Sequence, residues 1–195
     1  MFQIRYGEIT CSANGTCVGN PTAPGTQWIQ LFVEKNPNYN LTNMTRQDFD
    51  DIYHYSKQIF DDIYSANDPD LTRFRDAGGK MLSYHGMLDK IIPSSGTEHH
   101  YKAVTELTPD VHDFFRFYKV PGLQHCSGGT GGQPTVICAT LTAWVENGTV
   151  PDALPISFAN NKKGTTSRKL CPVPPKAVYD GSRDPDSSAS FSCVS

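Results

Sequence analysis

The sequence predicts an α/β fold in which strands alternate with helices and polar side chains sit on the loops at the strand ends. Three stretches predict it. Phe114 to Val120 is rich in aromatic and β-branched residues and reads as a strand, and Pro121 and Gly122 end it and open a loop that carries His125. Gly79 to Gly86 reads as a second strand, with Asp89 in the loop three residues beyond Gly86. Between them, Ser94 to Leu107 supplies a helix, so strand, helix and strand follow one another with an acid after the first strand and a histidine after the second.

Taken in order, residues 1 to about 30 are rich in turn formers, with Pro21, Pro24 and several glycines. Cys11-Ser12 lacks a preceding strand, and its cysteine has a local partner in Cys17, so it does not read as a nucleophile. Thr45 to about Ala66 is the clearest helix. Thr45 with Asp48 three residues on forms an N-cap pattern, and Phe49, Ile52, Tyr53, Ile59, Phe60 and Ile63 recur at helical spacing as a core-facing stripe. Asp50, Asp51, Asp61 and Asp62 lie largely off that stripe and read as a solvated face, because an ion-binding loop needs oxygens clustered on irregular backbone. Asn67-Asp-Pro-Asp70 breaks the chain and marks a domain boundary between 1–70 and 71–195.

His85-Gly86 lies on the acid strand and reads as structural. Glu98, His99, His100 and His112 do not form a metal site, since adjacent helical side chains point about 100° apart. Behind the histidine loop, Pro134 to Gly148 reads as a helix with Pro134 near its start and Asn147-Gly148 at its end. After Gly148, Pro151, Pro155, Pro172, Pro174 and Pro175 argue against long regular elements, and Ser157 to Lys169 and Asp180 to Ser190 read as surface loops.

An acid after one strand and a histidine after the next, both at the carboxyl edge of a sheet, is the order an α/β-hydrolase requires once its nucleophile has gone before. Yet no Gly-x-Ser-x-Gly occurs in the chain, and the residues before Asp89 offer no strand–turn–helix on which a serine could be held. Ser127 follows the base, contrary to that order. The fold expected is therefore the C-terminal part of an α/β-hydrolase sheet, preceded by other structure in residues 1–70.

Phe74-Arg-Asp-Ala-Gly-Gly-Lys-Met-Leu-Ser-Tyr-His-Gly-Met-Leu-Asp89 and Arg116-Phe-Tyr-Lys-Val-Pro-Gly-Leu-Gln-His-Cys-Ser-Gly-Gly129 resemble the tannase and feruloyl esterase family, whose members are secreted α/β-hydrolases with a large lid inserted before the acid. The resemblance is close over Leu71 to Gly148 and looser on both sides. It implies that residues 1–70 are the end of the lid and that 71–195 belong to the catalytic domain. Asp89 then matches the acid and His125 the base of a Ser-His-Asp triad that cleaves esters of plant phenolic acids such as gallates or ferulates. Cys126 matches a cysteine that bonds to the residue just before the nucleophilic serine. That partner, the family's Gly-Cys-Ser-x-Gly segment and its structural calcium belong to an upstream part with no counterpart here. The resemblance thus implies a serine-bearing partner, disulfide-linked through Cys126, and no cofactor in this chain. Which phenolic acid is preferred would be set by pocket residues drawn from lid and catalytic portions together.

The totals agree with such a setting. A net charge of −3 gives no basic field for nucleic acid, and no apolar run approaches a membrane span. Sequons at Asn14, Asn40, Asn43 and Asn147, with six cysteines, point to a secreted, extracellular glycoprotein. Met1 to Glu8 lacks the apolar core of a signal peptide, so an upstream portion is expected to carry it. Cys11 and Cys17 enclose a short loop and are expected to pair. Cys171 and Cys193 bracket a Pro-, Asp- and Ser-rich tail that buries little, and are expected to pair as well. Cys138 reads as a buried free thiol, and the alternative joins Cys126 to Cys138. A secreted, disulfide-stapled binding or structural module without chemistry is the rival reading. Such a module has no need of Asp89 and His125 at two strand ends.

Overall fold

The computed structural model describes residues 8–20, 23–42, 44–160, 164–181 and 183–195. The chain divides into two compact units at Asp68 and Pro69.

In the first unit, β1 (Glu8–Cys11) and β2 (Cys17–Asn20) form an antiparallel hairpin closed by the Cys11–Cys17 disulfide. The helix α1 (Ala23–Trp28) runs into a π-helical turn over Ile29–Val33. This region is thus more regular than its glycines and prolines suggest; the hairpin needs only four residues a strand and a crosslink across its turn. The helix α2 (Arg46–Tyr64) starts at a full capping box. The Thr45 hydroxyl accepts from the Asp48 N–H, and the Asp48 carboxylate accepts from the Thr45 N–H at 2.8 Å. Trp28 packs on Phe32 at 4.8 Å and meets Phe60 edge-on at 5.0 Å, while its indole N–H donates to Ser56 Oγ.

The expected core stripe of α2 is only half realised. None of its side chains is fully buried, and Ile59 and Ile63 are exposed. Helical periodicity reports which face is apolar, not whether this chain supplies the layer that covers it. The acids behave as a solvated face: Asp50 pairs with Arg46 and Asp61 with Lys57, each one turn away.

The second unit is organised on two parallel strands. After the short helix α3 (Thr72–Asp76), β3 (Met81–Gly86) pairs in parallel with β4 (Phe115–Val120), and α4 (Ser94–Leu107) makes the crossover. A parallel pair requires such a crossover. Register aligns Met81 with Phe115 and Gly86 with Val120, so both strands end at the same level. β4 is buried on both faces, as parallel strands are. Phe115 and Phe117 join Tyr101, Val104, Val111 and Phe114 in one cluster, while Tyr118 and Val120 join Leu123, Leu154, Ile156 and Leu170 in another. Each such side chain contributes about 1.5–3 kcal/mol when fully buried, which is why the strand leading to the histidine is the best-anchored element of the unit.

The helix α5 (Ile137–Asn147) begins three residues later than Pro134 suggested and ends at Gly148, whose φ of 68° is a left-handed cap. Beyond it the structure corrects the expectation of a surface loop over Ser157 to Lys169. β5 (Leu154–Ala159) and β6 (Thr165–Leu170) form an antiparallel hairpin, and β7 (Lys176–Tyr179) and β8 (Phe191–Val194) form another. The signal was present in Leu154, Ile156 and Phe158, which alternate at strand period. Pro155 is tolerated because a two-stranded sheet leaves every strand one unpaired edge. The Cys171–Cys193 disulfide ties the start of this tail to β8. Among the described residues, no helix is long and apolar enough to cross a membrane.

Candidate active site

The acid loop and the histidine loop are joined by backbone hydrogen bonds before any side chain is considered. Beyond β3, the Met87 N–H donates to the Val120 carbonyl at 3.0 Å and the Leu88 N–H to the Leu123 carbonyl at 2.9 Å. Gly86 lies so close to the histidine loop that a Cβ there would collide with the Leu123 and Gln124 carbonyl oxygens. The histidine loop folds back on itself: the Thr130 and Gly131 N–H groups donate to the Gly122 carbonyl, and the Ser127 N–H donates to the His125 carbonyl at 2.7 Å. Cys126, at φ 59°, takes the left-handed conformation that turns the chain between His125 and Ser127.

This framework brings Asp89 to His125. Asp89 Oδ2 accepts from His125 Nδ1 at 2.8 Å, and Oδ1 accepts from the Ile91 and Ile92 N–H groups at 2.8 and 2.9 Å. The carboxylate is 4% exposed, while the imidazole is 40% exposed. Burial works against the charge of Asp89, but the hydrogen bonds from Ile92, His125 and Ile91 outweigh it and hold the carboxyl below its usual range. A carboxylate only accepts, so His125 Nδ1 carries the proton and Nε2 is left as the basic nitrogen. A buried acid orienting a half-exposed imidazole in this tautomer is an arrangement that can take a proton from a hydroxyl or thiol.

His85, which the sequence marks as structural, lies beside this pair. Its Nδ1 is 2.8 Å from Thr97 Oγ1, its Nε2 is 2.9 Å from the Ile92 carbonyl, and the same Nε2 stands 3.2 Å from Asp89 Oδ2. The His85 and Asp89 spacing of four was the one hint of this in the sequence. The remaining histidines stand apart: His112 Nδ1 bonds with the Tyr101 hydroxyl, and buried His100 Nδ1 has no partner.

Among the cysteines, Cys11–Cys17 and Cys171–Cys193 are bonded, and Cys126 and Cys138 are free. Cys138 is exposed, against the expectation of a buried thiol, because α5 turns Trp144 inward and leaves Cys138 on its outer side. The sequon asparagines Asn14, Asn40 and Asn147 are exposed, and Asn43 lies outside the described residues. Among the described residues, no three His, Cys, Asp or Glu side chains converge to hold a metal ion.

Comparison with known proteins follows the same outline. The family model described as "Tannase and feruloyl esterase" matches residues 14–194. A probable feruloyl esterase of Arthroderma benhamiae is 32% identical over 189 residues, covering 93% of this chain and 35% of that protein. The mono(2-hydroxyethyl) terephthalate hydrolase of Piscinibacter sakaiensis is 39% identical over 136 residues, covering 67% of this chain and 22% of its own length. Among solved structures, the tannin acyl hydrolase of Aspergillus niger superposes with a TM-score of 0.81 at 25% identity, over 96% of this chain and 36% of that one. The fold is α/β, of the hydrolase type, and the chain spans about a third or less of these relatives. With 181 consecutive positions inside the family model, this chain belongs to the tannase and feruloyl esterase family.

Proposed function

We propose that the chain supplies the acid and the base of a serine carboxylic ester hydrolase acting on esters of plant phenolic acids. The observation that carries this reading is the 2.8 Å hydrogen bond from His125 Nδ1 to a buried Asp89 carboxylate. In the mechanism, His125 Nε2 takes the proton of a serine hydroxyl as its oxygen attacks the ester carbonyl. The resulting imidazolium is steadied by Asp89 and then protonates the departing alcohol. Water, deprotonated by the same nitrogen, cleaves the acyl-enzyme and releases the acid. The names of the relatives point the same way: feruloyl, tannin acyl and terephthalate esters are all esters of aromatic acids.

The serine in this proposal comes from a Gly-Cys-Ser-x-Gly segment carried elsewhere, since none occurs in these 195 residues. Cys126, next to the base and free on the surface, is the residue that would bond to the cysteine before that serine. Residues 1–70 would be the end of the lid and 71–195 part of the catalytic domain. The disulfides and the exposed sequon asparagines support an extracellular, glycosylated protein.

The test is to co-express this chain with the serine-bearing part and measure hydrolysis of methyl ferulate and methyl gallate. The pair should hydrolyse at least one ester and the chain by itself neither. His125→Ala in the pair should lower kcat by about 10⁴-fold or more. Hydrolysis by the unaccompanied chain would refute the supplied serine, and full activity of His125→Ala would return the chain to a binding module.

A further inference from the structure

We infer that His85 is a positioning residue for this reaction: it clamps the acid loop so that Asp89 presents Oδ2 to His125. The inference rests on the reading of Asp89 and His125 as acid and base, and it assigns to a third side chain the job of aiming the first.

The acid loop is held by hydrogen bonds and not by apolar burial. Met87, Leu88, Lys90, Ile91 and Ile92 are all exposed, and only Asp89 among residues 87–92 turns inward. A segment without apolar burial keeps its conformation through its hydrogen bonds. His85 makes the bond that closes this loop at its far end. It stands at the end of β3, its Nε2 reaches the Ile92 carbonyl, and its Nδ1 reaches Thr97 on the first turns of α4. One ring thus links strand, loop and helix.

The tautomer of that ring follows from its neighbours. Nε2 faces two oxygens that only accept, the Ile92 carbonyl at 2.9 Å and Asp89 Oδ2 at 3.2 Å, so Nε2 carries the proton. Nδ1 then accepts from the Thr97 hydroxyl. The Nε2–H goes to Ile92, the nearer acceptor, which leaves Asp89 Oδ2 to His125 at 2.8 Å. Ile92 is the hinge of the arrangement. Its carbonyl accepts from His85 while its N–H donates to Asp89 Oδ1, so the peptide units on either side of Ile92 are each held by a hydrogen bond. The other tautomer would put the Nε2 lone pair against both oxygens, and the Thr97 hydroxyl, donating to Nδ1, completes the tautomer that avoids this.

Two measurements test this. In the assembled esterase, His85→Leu should lower kcat by about 10²-fold, the scale of a misaimed catalytic group, with KM changed by less than about threefold. His85→Gln keeps an N–H near the reach of Nε2 and should recover most of that loss. In the chain by itself, the Nδ1 proton of His125 should give a low-field proton NMR resonance that is lost in His85→Leu and kept in His85→Gln. Should His85→Leu fail to fold, Thr97→Val carries the test, with an expected loss of about tenfold in kcat at unchanged KM. An unaltered kcat in either variant, or no recovery with Gln, overturns the role of His85. Those results leave the triad standing if Asp89→Asn is inactive in the same assay. If Asp89→Asn and His125→Ala are both fully active, the triad reading itself has failed.

Discussion

Asp89 divides its carboxylate between two jobs: Oδ1 is held by the Ile91 and Ile92 N–H groups of its own loop, and Oδ2 receives His125 Nδ1 at 2.8 Å from 36 residues along the chain. The loop bonds fix the orientation of the group, and the single remaining oxygen is directed at the imidazole. Asp89→Asn would keep the shape but offer His125 an amide, favouring the wrong tautomer. In the assembled esterase, kcat on methyl ferulate should fall by about 10⁴-fold.

Gly86 is where the two loops meet. Gly86→Ala would drive a methyl group into the Leu123 and Gln124 carbonyl oxygens, and the Met87 and Leu88 hydrogen bonds prevent the loops from simply separating. A loss of about 1–3 kcal/mol in urea unfolding is expected, the usual range for overpacking. Gly96→Ala is the control. It lies in α4 with open space around it, and should be neutral or stabilising by up to about 1 kcal/mol.

The depressed carboxyl of Asp89 makes an acid-side prediction. A group whose pKa is lowered by folding adds stability that is complete above its unfolded value, about 3.9 for Asp. That stability is lost as pH falls through the lower folded value, because the unfolded chain takes up the proton first. Unfolding free energy should therefore fall as pH drops below about 4, and Asp89→Asn should flatten that slope. An identical pH dependence in the variant would contradict the assignment.

The tail hairpin β7–β8 is short, and the Cys171–Cys193 bridge closes a loop of 22 residues around it. Replacing both cysteines by serine should cost about 3 kcal/mol on the loop-entropy account. Proteolysis should then begin in the 172–195 segment, and mass spectrometry of the first fragments would show it.

Much of the second unit was legible in residue order. The strands around Tyr84 and Tyr118, the helix from Ser94 to Leu107, and the positions of Asp89 and His125 just past the strand ends all follow from short-range patterns that the structure repeats. Other features were not. The β5–β6 hairpin was hidden because Pro155 is a poor strand residue only where both edges are paired. The exposure of Cys138 and of Ile59 and Ile63 on α2 was hidden because periodicity reveals which face is apolar and not what lies opposite it. The place of His85 was hidden because a histidine on a strand looks the same whether it faces solvent or an acid.

The sequence by itself determined which ionisable groups exist, their order along the chain and the kinds of element that carry them, because residue chemistry and hydrophobic period are local properties. Only the tertiary structure decided that Oδ2 rather than Oδ1 of Asp89 meets His125 and that His85 closes the acid loop. Those outcomes depend on the parallel register that sets Gly86 beside Val120, and a hydrogen bond keeps its strength only within a few tenths of an ångström and a few tens of degrees.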